Sequence, residues 1–127
     1  MQNIRSTGTK PEERIMRELK RRKIYFAPHA KKIKGTPDIV FRRKKIAVFI
    51  DSDFWHGHPK RFIMPKTNVD YWNNKIINNI TRDNLVNRTL KQEGWKVIRI
   101  WESSIKKNTD RCVKKILKAI GSDVSSL

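Results

Sequence analysis

Five side chains carry most of the chemistry in this sequence: Glu12, Asp38, Asp51, His56 and Asp83. Asp38 follows Pro37 at the start of one apolar run, and Asp51 follows another, Ile46 to Ile50 (IAVFI). If these runs are strands joined through the basic turn Arg43 to Lys45, their outer ends meet. The two carboxylates then come together at one sheet edge. Paired carboxylates repel unless a proton or cation separates them. Hard oxygen donors without neighbouring sulfur suit Mg2+, and an ion held by two acids beside a basic surface is the apparatus of phosphodiester hydrolysis. Spacing leaves a plainer account equally open, with Asp38 capping a turn and Asp51 a solvated strand end.

His56 stands five residues beyond Asp51, just after Phe54-Trp55. An imidazole near a metal and a phosphate can move a proton to or from an attacking or leaving oxygen. A surface histidine and a metal pair with His58 are the alternatives. Asp83 lies seven residues after Ile76 and seven before Leu90, which aligns it with the apolar stripe of a helix. An acid on that stripe is costly unless it is paired, with a cation, a His or a metal. Glu12 lies three before Ile15 and seven before Leu19, again on an inward face. For Glu12 the simpler account is a capping box with Thr9. Together Glu12, Asp38, His56 and Asp83 describe one polar site inside a basic shell.

The elements that position these residues follow from periodicity and punctuation. Thr9-Lys10-Pro11-Glu12 opens a helix of about three turns, with Pro11 in its first turn. Strands are expected at Ile24 to Pro28, Asp38 to Arg42, Ile46 to Ile50 and Trp95 to Trp101. A long helix is expected from Asp70 to Glu93, ending at Gly94, and an amphipathic one from Thr109 to Ile120. Adjacent strands with short links pair antiparallel, and the crossover through the long helix sets the last strand parallel to the central one. The expected architecture is a mixed α/β domain in the order αβββαβα, with one four-stranded sheet flanked by helices. It forms a single domain over residues 1–127 with an ordered core of about 9–120.

Composition narrows the partner. The 127 residues include 30 Lys or Arg against 12 Asp or Glu, a net charge of +18. Solubility alone needs roughly 2 to 8 charges, so a polyanion, most simply nucleic acid, is the expected partner. Four Trp and five Phe exclude a disordered basic tail. A single cysteine, Cys112, excludes an internal disulfide and a multi-thiolate zinc site. With neither a spanning apolar run nor a leader-like N-terminus, the expected setting is cytoplasmic and nucleoid-associated, away from membranes.

Six blocks, in order, are family-like: Thr9 to Glu12 (TKPE), Gly35 to Asp38 (GTPD), Val48 to His58 (VFIDSDFWHGH), Tyr71 to Ile76 (YWNNKI), Arg82-Asp83, and Gly94 to Glu102 (GWKVIRIWE). They resemble the very short patch repair (Vsr-type) DNA endonucleases and the related EDxHD nucleases of some homing endonucleases. The resemblance implies a restriction-endonuclease-like fold and Mg2+-dependent nicking or cutting of double-stranded DNA. It implies that Asp38 is the main metal ligand, completed by the Ile50 carbonyl or the Asp51 carboxylate. His56 is then the acid–base residue, Asp83 orients it, and Glu12 orders water in the metal shell. Phe54, Trp55 and Trp72 match aromatics that wedge into the base stack, while Lys60, Arg61 and Lys75 are candidate phosphate contacts.

Two departures qualify the likeness. The zinc-ligand positions of the mismatch enzymes are occupied by Asp53, His58, Lys60 and Ser103, so no structural zinc is expected. The Thr-His that precedes the FWH block in those enzymes is replaced by Ile50-Asp51, which weakens the case for T·G mismatch specificity. A homing, restriction-type or junction-resolving nuclease of the same fold is the nearest alternative, and a basic binding module without chemistry is the more distant one. With about six phosphate contacts, the log–log slope of DNA affinity against salt should be roughly −5. A flat response in a filter-binding titration would exclude duplex DNA as the partner.

Overall fold

A computed structural model describes residues 9–60 and 62–121. The polar N-terminal eight residues, Arg61 and the tail from 122 onward lie outside the described residues. The element order is α1 (Lys10–Arg21), β1 (Ala27–Pro28), β2 (Ile39–Phe41), β3 (Ile46–Asp51), α2 (Val69–Gln92), β4 (Lys96–Trp101), α3 (Glu102–Lys107) and α4 (Thr109–Ile120). The sheet order is β1-β2-β3-β4, antiparallel between β1, β2 and β3, and parallel between β3 and β4. This is the mixed four-stranded sheet flanked by helices of a restriction-endonuclease-like fold.

Strand alternation divides the core in two. Ile46 and Val48 of β3, with Ile98 and Ile100 of β4, pack against Ile15, Leu19, Ile105, Val113 and Ile116 of α1, α3 and α4. Ala47 and Phe49 face the other way and meet Val86 and Leu90 of α2. Helix α1 starts as its sequence dictates: the Thr9 hydroxyl accepts from the Glu12 N–H at 3.3 Å. Asn108 caps α4 by accepting from the Arg111 N–H at 3.0 Å.

Two elements differ from expectation. The first strand shrinks to Ala27–Pro28 because the Ile24 N–H still bonds to the Leu19 carbonyl at 2.9 Å, closing α1. The additional helix α3 lies between β4 and α4. Its six residues, ESSIKK, contain one apolar side chain, the fully buried Ile105, too few to show a helical period.

Two loops are clamped onto α2 through glycines in left-handed conformations. At Gly35 φ is +80°, and a Cβ would lie 2.6 Å from Val86 Cγ1. At Gly57 φ is +59°, and a Cβ would lie 2.9 Å from Ile76 Cγ2. Gly35→Ala should therefore destabilise the protein by roughly 1–3 kcal/mol through overpacking, read as a lower urea midpoint. An unchanged midpoint would show that the Gly35 loop is not held against α2.

Candidate active site

The site forms where β2 begins and β3 ends. The Asp38 N–H bonds to the Val48 carbonyl at 3.0 Å, and Asp38 Oδ2 accepts from the Ile50 N–H at 2.7 Å. The β1–β2 register continues one step past the strand, so the His29 N–H bonds to the Asp38 carbonyl at 3.0 Å. Glu12, 2% exposed, points in from the first turn of α1, and its Oε1 is in direct contact with His29 Nε2. Donor atoms of Glu12, His29 and Asp38 all lie within 4.8 Å of one another.

A second group stands on the α2 side of the sheet. Asp51 ends β3, and its two oxygens accept from Arg99 Nη1 at 3.0 and 3.3 Å. Arg99 is fixed by Asn87, whose Oδ1 accepts from Nε at 2.7 Å, and its guanidinium lies 4.2 Å from the Phe49 ring centroid. His56 Nδ1 meets Asp83 Oδ2, while His56 Nε2 stands 3.8 Å from Asp51 Oδ1. Asp51, His56 and Asp83 again have donor atoms within 4.8 Å of one another.

Asp38, Ile50, Asp51, His56 and Asp83 line one small cleft. It is continuous through Ile50, His56 and Asp83 with a larger one of about 570 Å³ that runs past Trp55 and Lys75. Asp38 and Asp51 line the same cleft, as their strand-end positions predict, and the Asp51 charge acts on Asp38. Asp38 collects with Glu12 and His29, and Asp51 with His56 and Asp83. Alternation along β3 puts Asp51 on the face that Ala47 and Phe49 share, toward α2, while the Ile50 amide holds Asp38.

The loop after β3 gathers the aromatics against one another. The Phe54 ring lies 5.1 Å from Trp55, 5.6 Å from Phe62 and 5.3 Å from Trp72, all centroid to centroid. Lys75 Nζ stands 5.7 Å from the Trp55 ring centroid. Asn79 donates to the Trp55 carbonyl at 3.0 Å, tying the loop to α2. All three predicted wedge residues, Phe54, Trp55 and Trp72, are thus half-buried members of one packed cluster. Lys60 and Lys75 are exposed, and Arg61 lies outside the described residues. Asp53 Oδ1 accepts from the Ser103 N–H at 3.3 Å, and the His58 ring packs 4.5 Å from Trp101. Side-chain contacts therefore join the loop to β4 and α3.

Comparison with known proteins places this geometry in a family. A family model described as DNA mismatch endonuclease Vsr matches residues 1–61. Type II nicking enzyme V.NmeDIP of Neisseria meningitidis serogroup C is 38% identical over 122 residues, covering 94% of this chain and 82% of that protein. The chain belongs to the Vsr-type DNA endonuclease family. Type II nicking enzyme V.HpaIIP of Haemophilus parainfluenzae is also 38% identical, over 91% of this chain and 84% of that protein. DNA mismatch endonuclease Vsr of Escherichia coli strain K12 is 29% identical over 93% of this chain and 78% of its own length.

In this Vsr-type chain His29 and Arg99 are the site residues that sequence reasoning missed. A signal existed for each. Extending the antiparallel register brings His29 opposite Asp38. Arg99 is a lone charge inside the apolar strand KVIRIW, which requires an acid partner when it turns inward.

The electrostatics follow from burial. Burial pushes the Asp38 carboxyl up to about 7, opposed by the Ile50 hydrogen bond and reinforced by the Glu12 charge. Burial also raises Asp51, against the pull of Arg99 and His56. At His56 burial acts downward, but the Asp83 hydrogen bond and the Asp51 and Asp83 charges outweigh it, so its pKa is raised. An acid whose folded value is raised contributes stability at pH below its unfolded value, and that contribution is lost as pH climbs through the folded value. In chelator, the stability contributed by Asp38 should therefore fall between pH 4 and 8. Asp38→Asn, which keeps an acceptor for the Ile50 N–H, should remove this slope. It should also raise stability at pH 8 by up to about 4 kcal/mol; equal denaturation midpoints at pH 8 would contradict the burial argument.

Proposed function

We propose that this chain is a Mg2+-dependent endonuclease that nicks duplex DNA by hydrolysing one phosphodiester bond. The observation that carries the proposal is the convergence of Asp38, Asp51, His56 and Asp83 on one cleft, with Glu12 close behind Asp38, on a chain of net charge +18. The printed names of the relatives, nicking enzymes and a mismatch endonuclease, support the same reading.

The donor set fits a divalent cation: Asp38 has one oxygen anchored by a backbone amide, and Glu12 is buried beside it. Asp38 and Glu12, with the Ile50 carbonyl as a further candidate, are the residues that would hold the ion. When bound, such a cation neutralises charge on a phosphate oxygen and favours deprotonation of water. His56 is oriented through Nδ1 by Asp83, which leaves Nε2 to exchange a proton with the attacking or leaving oxygen. Arg99 neutralises Asp51, so that acid stays beside His56 without repelling the DNA as an isolated charge. The aromatic cluster with Phe54, Trp55 and Trp72 offers flat faces to bases, and Lys60 and Lys75 flank it for phosphates.

The test is strand-resolved cleavage of matched and T·G-mismatched duplexes with Mg2+. The wild type should nick one strand, and Asp38→Asn should bind DNA without cutting. His56→Ala should lower the single-turnover rate by about 10²- to 10⁴-fold with little change in Kd. Equal losses of rate and affinity would make His56 a DNA contact. Binding without cleavage by the wild type would leave a basic DNA-binding module as the reading.

A further inference from the structure

We infer that the cleft lined by the end of β4 and by helices α3 and α4 is a second DNA-backbone site, which grips phosphates flanking the bond that is cut. The inference rests on the DNA-nicking reading above and adds to it a row of cations that lies outside the family blocks.

Helix α4 has two unlike sides. Cys112, Val113 and Ile116 are buried in the core, while Arg111, Lys114, Lys115 and Lys118 are exposed. With Lys107 of α3 these cations line a concave cleft of about 760 Å³, closed by Arg99 and Trp101 at the end of β4. From Arg111 to Lys118 the row spans about 10 Å of helix axis, which matches the axial rise of about three phosphates on one strand. Among the described residues Lys107, Arg111, Lys115 and Lys118 form no ion pair. Asp110, at the start of α4, is already held by Arg22 and Lys114, each at 3.2 Å. Charges of one sign gathered in a cleft focus their field outward and draw in a polyanion.

The position of the cleft relates it to the active site. Arg99 lines both clefts, and its Nη1 lies 3.0 Å from Asp51. The Trp101 ring packs 4.5 Å from that of His58, two residues beyond His56. A duplex with a phosphate at Asp38 and His56 therefore has its flank within reach of α4. Strand β4 is also the outer strand of the sheet, and an open edge can recruit a second copy of the chain. Pairing two such edges would set one basic row against another, so charge selects the phosphate backbone instead.

Two charge-matched variants test the inference by filter binding to a long duplex across a salt series. Arg111→Gln/Lys118→Gln removes two cations from the cleft. Arg42→Gln/Arg43→Gln removes two exposed cations from the β2–β3 hairpin, at the opposite end of the sheet. All four side chains are exposed, and equal melting temperatures check that both variants fold. The cleft variant should make the log–log salt slope shallower by about 2. It should weaken matched and T·G-mismatched duplexes alike, because phosphate contacts carry no sequence information. The hairpin variant should keep a slope close to that of the wild type. An unchanged slope in the cleft variant, or an equal change in both variants, would overturn the inference. So would a poly-aspartate peptide that binds the wild type as tightly as duplex DNA does, or a DNA-free dimer in sedimentation that the cleft variant dissociates. The two readings fail separately. A wild type that binds duplex without nicking it removes the chemistry, and the slopes still judge the cleft. A wild type that nicks, with an unaltered slope in the cleft variant, removes only the cleft.

Discussion

The hydrogen bond from the Ile50 amide to the Asp38 carboxylate is the interaction on which the site depends. At 2.7 Å it ties the start of β2 to the end of β3 and holds a buried acid at the mouth of the cleft. The backbone donor stabilises the ionised form, while burial and the nearby Glu12 oppose it, and burial is the larger influence. The result is a carboxyl group poised between protonation and ionisation near neutral pH. Such a group gains from any cation that joins it, which links the fold of a short hairpin to the chemistry of the cleft.

Around that bond the acids fall into two donor groups. The group with Glu12 and His29 belongs to α1 and the β1 edge, and the group with Asp51, His56 and Asp83 belongs to the end of β3, the loop after it and α2. Arg99 is built into the second of these groups. His56 is oriented by Asp83 through Nδ1.

The loop after β3 joins this chemistry to a surface. Its turns are fixed by Gly57 against α2, by Asn79 on the Trp55 carbonyl, and by Asp53 on the Ser103 amide. The aromatic rings pack mutually rather than standing alone, so their arrangement is preorganised. His56 lies on the same loop, next to Trp55.

Local pattern alone determined much of this protein. The Thr9 cap, the inward faces of Glu12 and Asp83, the long helix over the sheet and the parallel crossover are all consequences of short-range periodicity and punctuation, and the ordered blocks carried the family. Tertiary structure decided the rest. A two-residue edge strand has no period of its own, so only its pairing with β2 revealed that His29 stands opposite Asp38. The meeting of Asp38 and Asp51 at one cleft followed from their places at strand ends, but the pairing of Asp51 with Arg99 needed the parallel β3–β4 register. Helix α3 and the aromatic packing were equally hidden, since each is defined by contacts between segments far apart in the chain.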